Sequence, residues 1–252
     1  MVSCKLTGGL GNYLFQIAAA STLAHISNDN SLFDFNNVGQ AHKNINLYKN
    51  NILRNISIGN PTPKYMYSEA KDFSYQQIPY TKDLMLDGYF QSEKYLDRKY
   101  ILELFKIDDI TKTYINSKPN FSPPFFKNSV SIHVRRGDYI GRSNHPVQPM
   151  DYYNSAMKYF NNNNFIVFSD DIKWCKENFK GDKFTFIQEE DYVELYLMSM
   201  CHHNIIANST FSWWGAWLNE NENKKVIAPS NWFGTNKNRK TENIYCKNWI
   251  II

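Results

Sequence analysis

The chain has 252 residues, 16% of them aromatic, and a formal net charge of +4. That length and aromatic content supply a sizeable core for one large domain or two small ones and exclude a disordered chain. The positive charge is spread along the sequence without the dense Lys/Arg blocks of nucleic-acid arms or polybasic membrane anchors, so it agrees with a small anionic ligand and with no nucleic-acid partner. No stretch reaches the roughly 20 apolar residues that cross a bilayer, and residues 1–7 contain no apolar signal core, so a cytoplasmic protein without a transmembrane segment is expected. Cys4, Cys175, Cys201 and Cys246 are scattered and lack Cys-x-x-Cys spacing, which predicts free buried thiols. Cys201-His202-His203 are adjacent and point in divergent directions, so no metal site is expected there.

In chain order, a short strand over 2–6 runs into Gly8-Gly9-Leu10-Gly11-Asn12, and a helix follows from 13 to 26. This is a βα unit. An irregular polar region extends to about residue 79, followed by a strand at Leu84-Met85-Leu86, the segment Gly88-Tyr89-Phe90-Gln91, and a helix over 94–105. The proline-rich stretch 118–124 is the best linker candidate, which places a domain border there: 1–124 and 125–252. Beyond it, strands at 129–136, 165–168, 184–187, 204–207 and 225–228 alternate with helices at 151–160, 172–179, 191–200 and 213–219. That alternation predicts a parallel sheet covered on both faces by helices, with ligands bound beyond the carboxyl ends of its strands.

Three of those strand ends carry polar clusters. His133-Val134-Arg135-Arg136-Gly137-Asp138-Tyr139 leaves the first strand of the second half. With period two, Ser131, His133 and Arg135 share one face, and Val130, Ile132, Val134 and Arg136 the other, which makes Arg135 the better ligand contact. Its planar fork of donors suits the oxygens of a diphosphate, and a fixed cation there stabilises the charge that grows as a sugar leaves a nucleoside diphosphate. The alternative is an ion-pair network in which Arg135 and Arg136 pair with Asp138 and other acids. Ser169-Asp170-Asp171 supplies a carboxylate able to accept both hydrogen bonds from one edge of guanine, or merely caps the next helix. Asn208-Ser209-Thr210 delivers hydroxyls to a helix start, where free N–H groups favour a phosphate; these residues also read as plain caps, and Trp213, Trp214 and Trp217 as core. Gly8-Gly9-Leu10-Gly11-Asn12 lacks the third glycine of a dinucleotide fingerprint and the Gly-Lys-Ser/Thr of a P-loop, so it reads as a close backbone approach to a ligand or as a simple turn.

Together these segments resemble the alpha-1,2-fucosyltransferase family. The resemblance is carried by Gly8-Gly9-Leu10-Gly11-Asn12 with Phe15-Gln16, Gly88-Tyr89-Phe90-Gln91, His133 to Tyr139, the run from Ile205 through Asn208-Ser209-Thr210 to Trp214, and late Trp232 and Trp249. It implies an α/β protein of the GT-B type, two Rossmann-like domains facing a cleft, with a mainly acceptor-side first domain and a GDP-sugar-binding second one. It further implies an inverting, metal-independent transfer of L-fucose from GDP-fucose to a glycan hydroxyl without a cofactor, the acceptor being the 2-hydroxyl of a terminal galactose. By the same resemblance Arg135 holds the diphosphate, His133 with Asp170 or Asp171 the guanine end, and Ser209 with Thr210 the distal phosphate. Gly11, Asn12, Arg136 and Asn208 complete the expected donor contacts. Asp138 is a candidate base or an orienter of an arginine. Tyr13 departs from the family's usual Gln, on the acceptor side.

Overall fold

The computed structural model describes residues 1–121, 123–235 and 238–252, with the backbone alone at 120, 123 and 124. The chain divides into two compact units, Met1–Asp108 with Asn238–Cys246, and Asp109–Lys237 with Lys247–Ile252. The border expected at 124 lies inside a short helix of the second unit.

In the first unit, β1 (Val2–Cys4), β2 (Tyr65–Ser68) and β3 (Leu84–Asp87) form a parallel sheet in the order β1-β3-β2. Parallel bridges from Val2 to Ser31 and from Phe33 to Ile58 continue it beyond β1. The helix α1 spans Leu10–Ile26, so it starts at residue 10 rather than 13. The Gly9 carbonyl accepts from the amides of Asn12 and Tyr13 at 2.9 and 3.0 Å, which draws Gly11 and Asn12 into the first helical turn. Only Gly8 makes the turn itself, at φ +95°, where a side chain would also strike Asn12. From Leu10 to Ala24 nearly all of α1 is buried, as expected of a helix apolar or small on every face. The helix read over 94–105 is shorter, with α2 spanning Arg98–Leu104 behind a 3-10 turn at Glu93–Tyr95. Asp97 starts it by accepting the Tyr100 amide at 3.0 Å. Strand β2 was not legible in the sequence because it is an edge strand whose Tyr65 and Met66 are exposed, so it lacks an apolar alternation.

The second unit opens with α3 (Asp109–Ser117), whose buried residues are Thr111 and Ile115 and which the sequence reading did not place. The expected linker carries a 3-10 turn at Pro119–Phe121 and the start of α4 (Pro123–Lys127); Ser122 lies outside the described residues. Then come β4 (Ser129–Val134), α5 (Met150–Met157), β5 (Asn164–Ser169), α6 (Ile172–Asn178), β6 (Phe184–Ile187), α7 (Asp191–Met200), β7 (His203–Ile205), α8 (Thr210–Trp217), β8 (Val226–Ala228) and β9 (Ile250–Ile251). The strands are parallel and ordered β6-β5-β4-β7-β8-β9. That is the doubly wound order of a Rossmann sheet, whose direction of travel reverses beside its first strand, here β4. Both units are thus built on parallel α/β sheets, the α/β class expected from the sequence.

Strand β4 is the axis of this unit, buried at every residue. Val130, Ile132 and Val134 pack with Tyr153 of α5 and Cys175 of α6. On its other face Ser131 accepts the Asn204 side-chain amide at 2.7 Å and the His133 ring lies 5.4 Å from that of Phe211. The period-two assignment of faces therefore holds. Trp213, Trp214 and Trp217 are core, with ring centres within 5.9 Å of one another, Trp213 stacked on Trp217 and Trp214 edge-on to both. The four cysteines are buried and form no disulfide. Ile132→Ala should lower stability by about 2–5 kcal/mol, read from the shift of the urea unfolding midpoint.

Candidate active site

The polar clusters of the second unit converge at the carboxyl ends of β4, β5 and β7, around the reversal in strand order. Arg135 and Arg136 follow the last residue of β4. The Arg135 guanidinium pairs through Nη2 with Asp138 Oδ1 at 2.6 Å and through Nη1 with Asp170 Oδ2 at 3.2 Å. Arg136 turns the other way: its Nε donates to Asp171 Oδ2 at 3.0 Å, and its guanidinium lies 4.1 Å from the Trp174 ring centre. The Arg136 backbone amide donates to Asp170 Oδ1 at 2.9 Å, so one carboxylate grips both the side chain of Arg135 and the chain just after it. The ion-pair network considered from the sequence is therefore present, and Arg135 is part of it. These are ion contacts rather than aligned hydrogen bonds, since the buried Asp138 Oδ1 has no hydrogen-bond partner.

Gly137 makes the arrangement possible. A Cβ at that position would sit 2.6 Å from Asp170 Oδ2, inside the carboxylate that holds Arg135. Asp171 also caps α6 by accepting the Trp174 amide at 3.1 Å, so the capping reading holds for it. With two guanidiniums against three carboxylates, the cluster has one carboxylate in excess.

His133 is 3% exposed, and its Nδ1 has no hydrogen-bond partner. Burial, and secondarily the Arg135 charge, push the imidazole down to about 3, so the ring is neutral at physiological pH. Burial likewise pushes Tyr139 up to about 12, and its hydroxyl donates to the Asn208 carbonyl at 3.2 Å, tying the end of β4 to the end of β7. Asn208 is buried; its side-chain amide donates to the carbonyls of Pro146 and Trp232, each at 3.1 Å. Ser209 occupies the N-cap position of α8, and its hydroxyl makes no cap bond. Thr210 is the first residue of that helix, which begins at 210 rather than 213. The leading N–H groups of such a helix have no intrahelical partners and attract an anion.

His133, Arg135, Arg136, Asp138, Asp170, Asp171, Asn208, Ser209 and Thr210 thus gather around three neighbouring strand ends. Gly11 and Asn12 belong to the first unit, where Asn12 accepts the Gln91 side-chain amide at 3.1 Å. Sequence reasoning placed Gly137, Tyr139 and Phe211 in these segments without assigning them a role and did not single out Trp174, because their roles depend on contacts between separate strand ends. Among the described residues no group of His, Cys, Asp or Glu is placed to hold a metal ion, and no helix is long and apolar enough to cross a membrane.

A doubly wound sheet with a guanidinium and a helix N-terminus at its switch point is suited to bind a phosphorylated ligand. The model of glycosyl transferase family 11 matches residues 1–252, and the chain belongs to that family. It is 33% identical to the O-antigen biosynthesis glycosyltransferase WbnK of Escherichia coli, over 96% of this chain and 98% of that one. It is 31% identical to an alpha-1,2-colitosyltransferase of Escherichia coli, over 92% of each chain. Human galactoside alpha-(1,2)-fucosyltransferase 1 is 33% identical over 35% of this chain and 28% of its own. Among solved structures, the fucosyltransferase NodZ from Bradyrhizobium superposes with a TM-score of 0.55 at 12% identity, covering 85% of this chain and 91% of that one, which bears on the fold.

Two outcomes follow from this geometry. Gly137→Ala should displace Asp170 and lower catalytic efficiency by roughly tenfold or more while leaving the circular dichroism spectrum intact. His133 has a folded-state value below its unfolded one, so the unfolded chain binds the extra proton. Its contribution to stability is present above about 6.5 and is lost as pH falls from there toward about 3. Urea midpoints should fall over that window, and His133→Gln should flatten part of the fall.

Proposed function

We propose that the chain transfers L-fucose from GDP-fucose to a glycan hydroxyl, the 2-hydroxyl of a terminal galactose, with inversion at the anomeric carbon. The observation that carries this reading is Arg135, held at the switch point by ion contacts to Asp138 and Asp170, with a planar fork of donors that suits a diphosphate. The acceptor oxygen forms its bond to the anomeric carbon as the carbon–oxygen bond to the diphosphate breaks. GDP departs with that electron pair, and the acceptor hydroxyl's proton passes to solvent water as the new bond forms. Negative charge grows on the departing oxygen, and a guanidinium already held in place stabilises it without reorganising during the reaction. Asp138 serves to align Arg135, given their 2.6 Å contact. The Ser209 hydroxyl and the start of α8 take the distal phosphate, while Asp170, Asp171 and neutral His133 lie toward the base.

The donor assignment is supported by the alpha-1,2-fucosyltransferase relatives, and the alpha-1,2 linkage by those and the colitosyltransferase. The colitosyltransferase, which is similar over most of the chain, also favours a second reading in which the same site takes a different sugar nucleotide. Release of GDP from GDP-fucose, measured against competing GDP-sugars over a panel of galactose-terminated acceptors and followed by linkage analysis of the product, separates the two. Arg135→Ala should lower turnover by about 10²–10³-fold with the fold intact, and Arg135→Lys should recover only part of it. Normal turnover in Arg135→Ala would remove the central assignment.

A further inference from the structure

At the carboxyl end of the first unit's sheet, three loops are joined by side chains that the proposed reaction does not use. After β1, the Thr7 amide donates to Gln16 Oε1 at 3.0 Å, and Gln16 Nε2 donates to the Gly88 carbonyl at 3.2 Å. After β3, Gln91 Nε2 donates to Asn12 Oδ1 at 3.1 Å. After β2 comes Glu69, whose two carboxylate oxygens accept the backbone amides of Tyr89 and Phe90 at 2.7 and 2.9 Å. Its own amide donates to the Asp87 carbonyl at 2.9 Å. A Cβ on Gly88 would strike Glu69, so the turn lies directly against this side chain. Phe90 is fully buried and adopts φ +53°, a left-handed conformation that costs a non-glycine residue on the order of 1–3 kcal/mol and has to be held by its surroundings.

We infer that Glu69 is a positioning residue: its carboxylate, by accepting two consecutive amides, holds the 88–91 turn in its strained form and so aims Gln91 at Asn12 at the carboxyl end of the first unit's sheet. Packing supports the same turn, since the Phe90 ring meets Tyr95 edge-on at 5.3 Å. Packing alone, however, gives no reason for an acid at residue 69. Burial pushes the Glu69 carboxyl up to about 7, against the pull of the two amides. The ionisable groups that feel its charge are Cys4 on β1, Tyr67 on β2 and Tyr95 before α2, all kept neutral by burial. On β3 the Asp87 side chain is paired with Lys5 at 2.8 Å. The clamp therefore loosens as pH falls through neutrality, because a protonated carboxyl gives up acceptor capacity and becomes a donor.

The kinetic consequence rests on the transferase reading, and the structural consequence does not. Hydrogen exchange of the Tyr89 and Phe90 amides, corrected for intrinsic rates between pH 5.5 and 8.5, should show protection rising about tenfold through pH 7 in the native chain. In Glu69→Gln, protection should be lower and independent of pH. Steady-state GDP release with acceptor should show kcat/KM for the acceptor reduced about tenfold in Glu69→Gln and its acid limb near pH 7 abolished. Protection that is flat with pH in the native chain, or equal in the two proteins, overturns the inference, as does an acid limb that survives in the variant. If Glu69→Gln fails to fold, the native exchange profile alone decides. If the native chain turns over no GDP-sugar, the transferase reading falls while the exchange result still judges Glu69.

Discussion

The placement of Arg135 depends on how a charge is kept at the edge of an apolar core. β4 is buried on both faces, and its chain emerges into two guanidiniums that water reaches only in part. A cation in that position is retained when carboxylates compensate its lost hydration, and when they do so from fixed directions they also fix its orientation. Asp170 does both, binding the guanidinium with one oxygen and the following backbone amide with the other. The rest of the site is arranged around that contact. Gly137 leaves room for it, Asp171 and Trp174 draw Arg136 to the opposite side, and Tyr139 links it to the end of β7.

The same principle appears in the first unit in a different form. There the restraint is a carboxylate gripping backbone amides, and the group being aimed is an amide side chain. Both devices bring together loops that follow different strands of one parallel sheet, which is where such sheets bind ligands. Charge at these strand ends therefore serves orientation first. Within the proposed reaction that orientation supplies stabilisation without a reorganisation cost at the moment of bond cleavage.

Much of the second unit was readable because its strands are short apolar runs separated by amphipathic helices, and burial of both sheet faces leaves a plain signal. Phe184–Ile187 and Asp191–Met200 were placed with their observed bounds. What escaped was short or little buried: the exposed edge strand Tyr65–Ser68, the helix Asp109–Ser117 with two buried positions, and the two-residue β9. The early start of α1 was hidden because glycine has low helix propensity, a local preference overridden by tertiary burial of the whole helix.

Sequence alone determined the fold class, the family resemblance and the positions of the polar clusters, since strand periodicity and the order of His133, Arg135, Asp170 and Ser209 after their strands are properties of the linear chain. It also separated the faces of β4, because side chains on a strand alternate whatever surrounds them. Which carboxylate meets which arginine was decided only by tertiary structure. Asp170 lies far along the chain from Arg135, and their meeting depends on β4 and β5 lying side by side, with Val134 opposite Ser169. For the same reason Glu69 carried no signal in the sequence: its partners at Tyr89 and Phe90 are backbone amides, which every residue but proline possesses, and only the adjacency of β2 and β3 makes them its own.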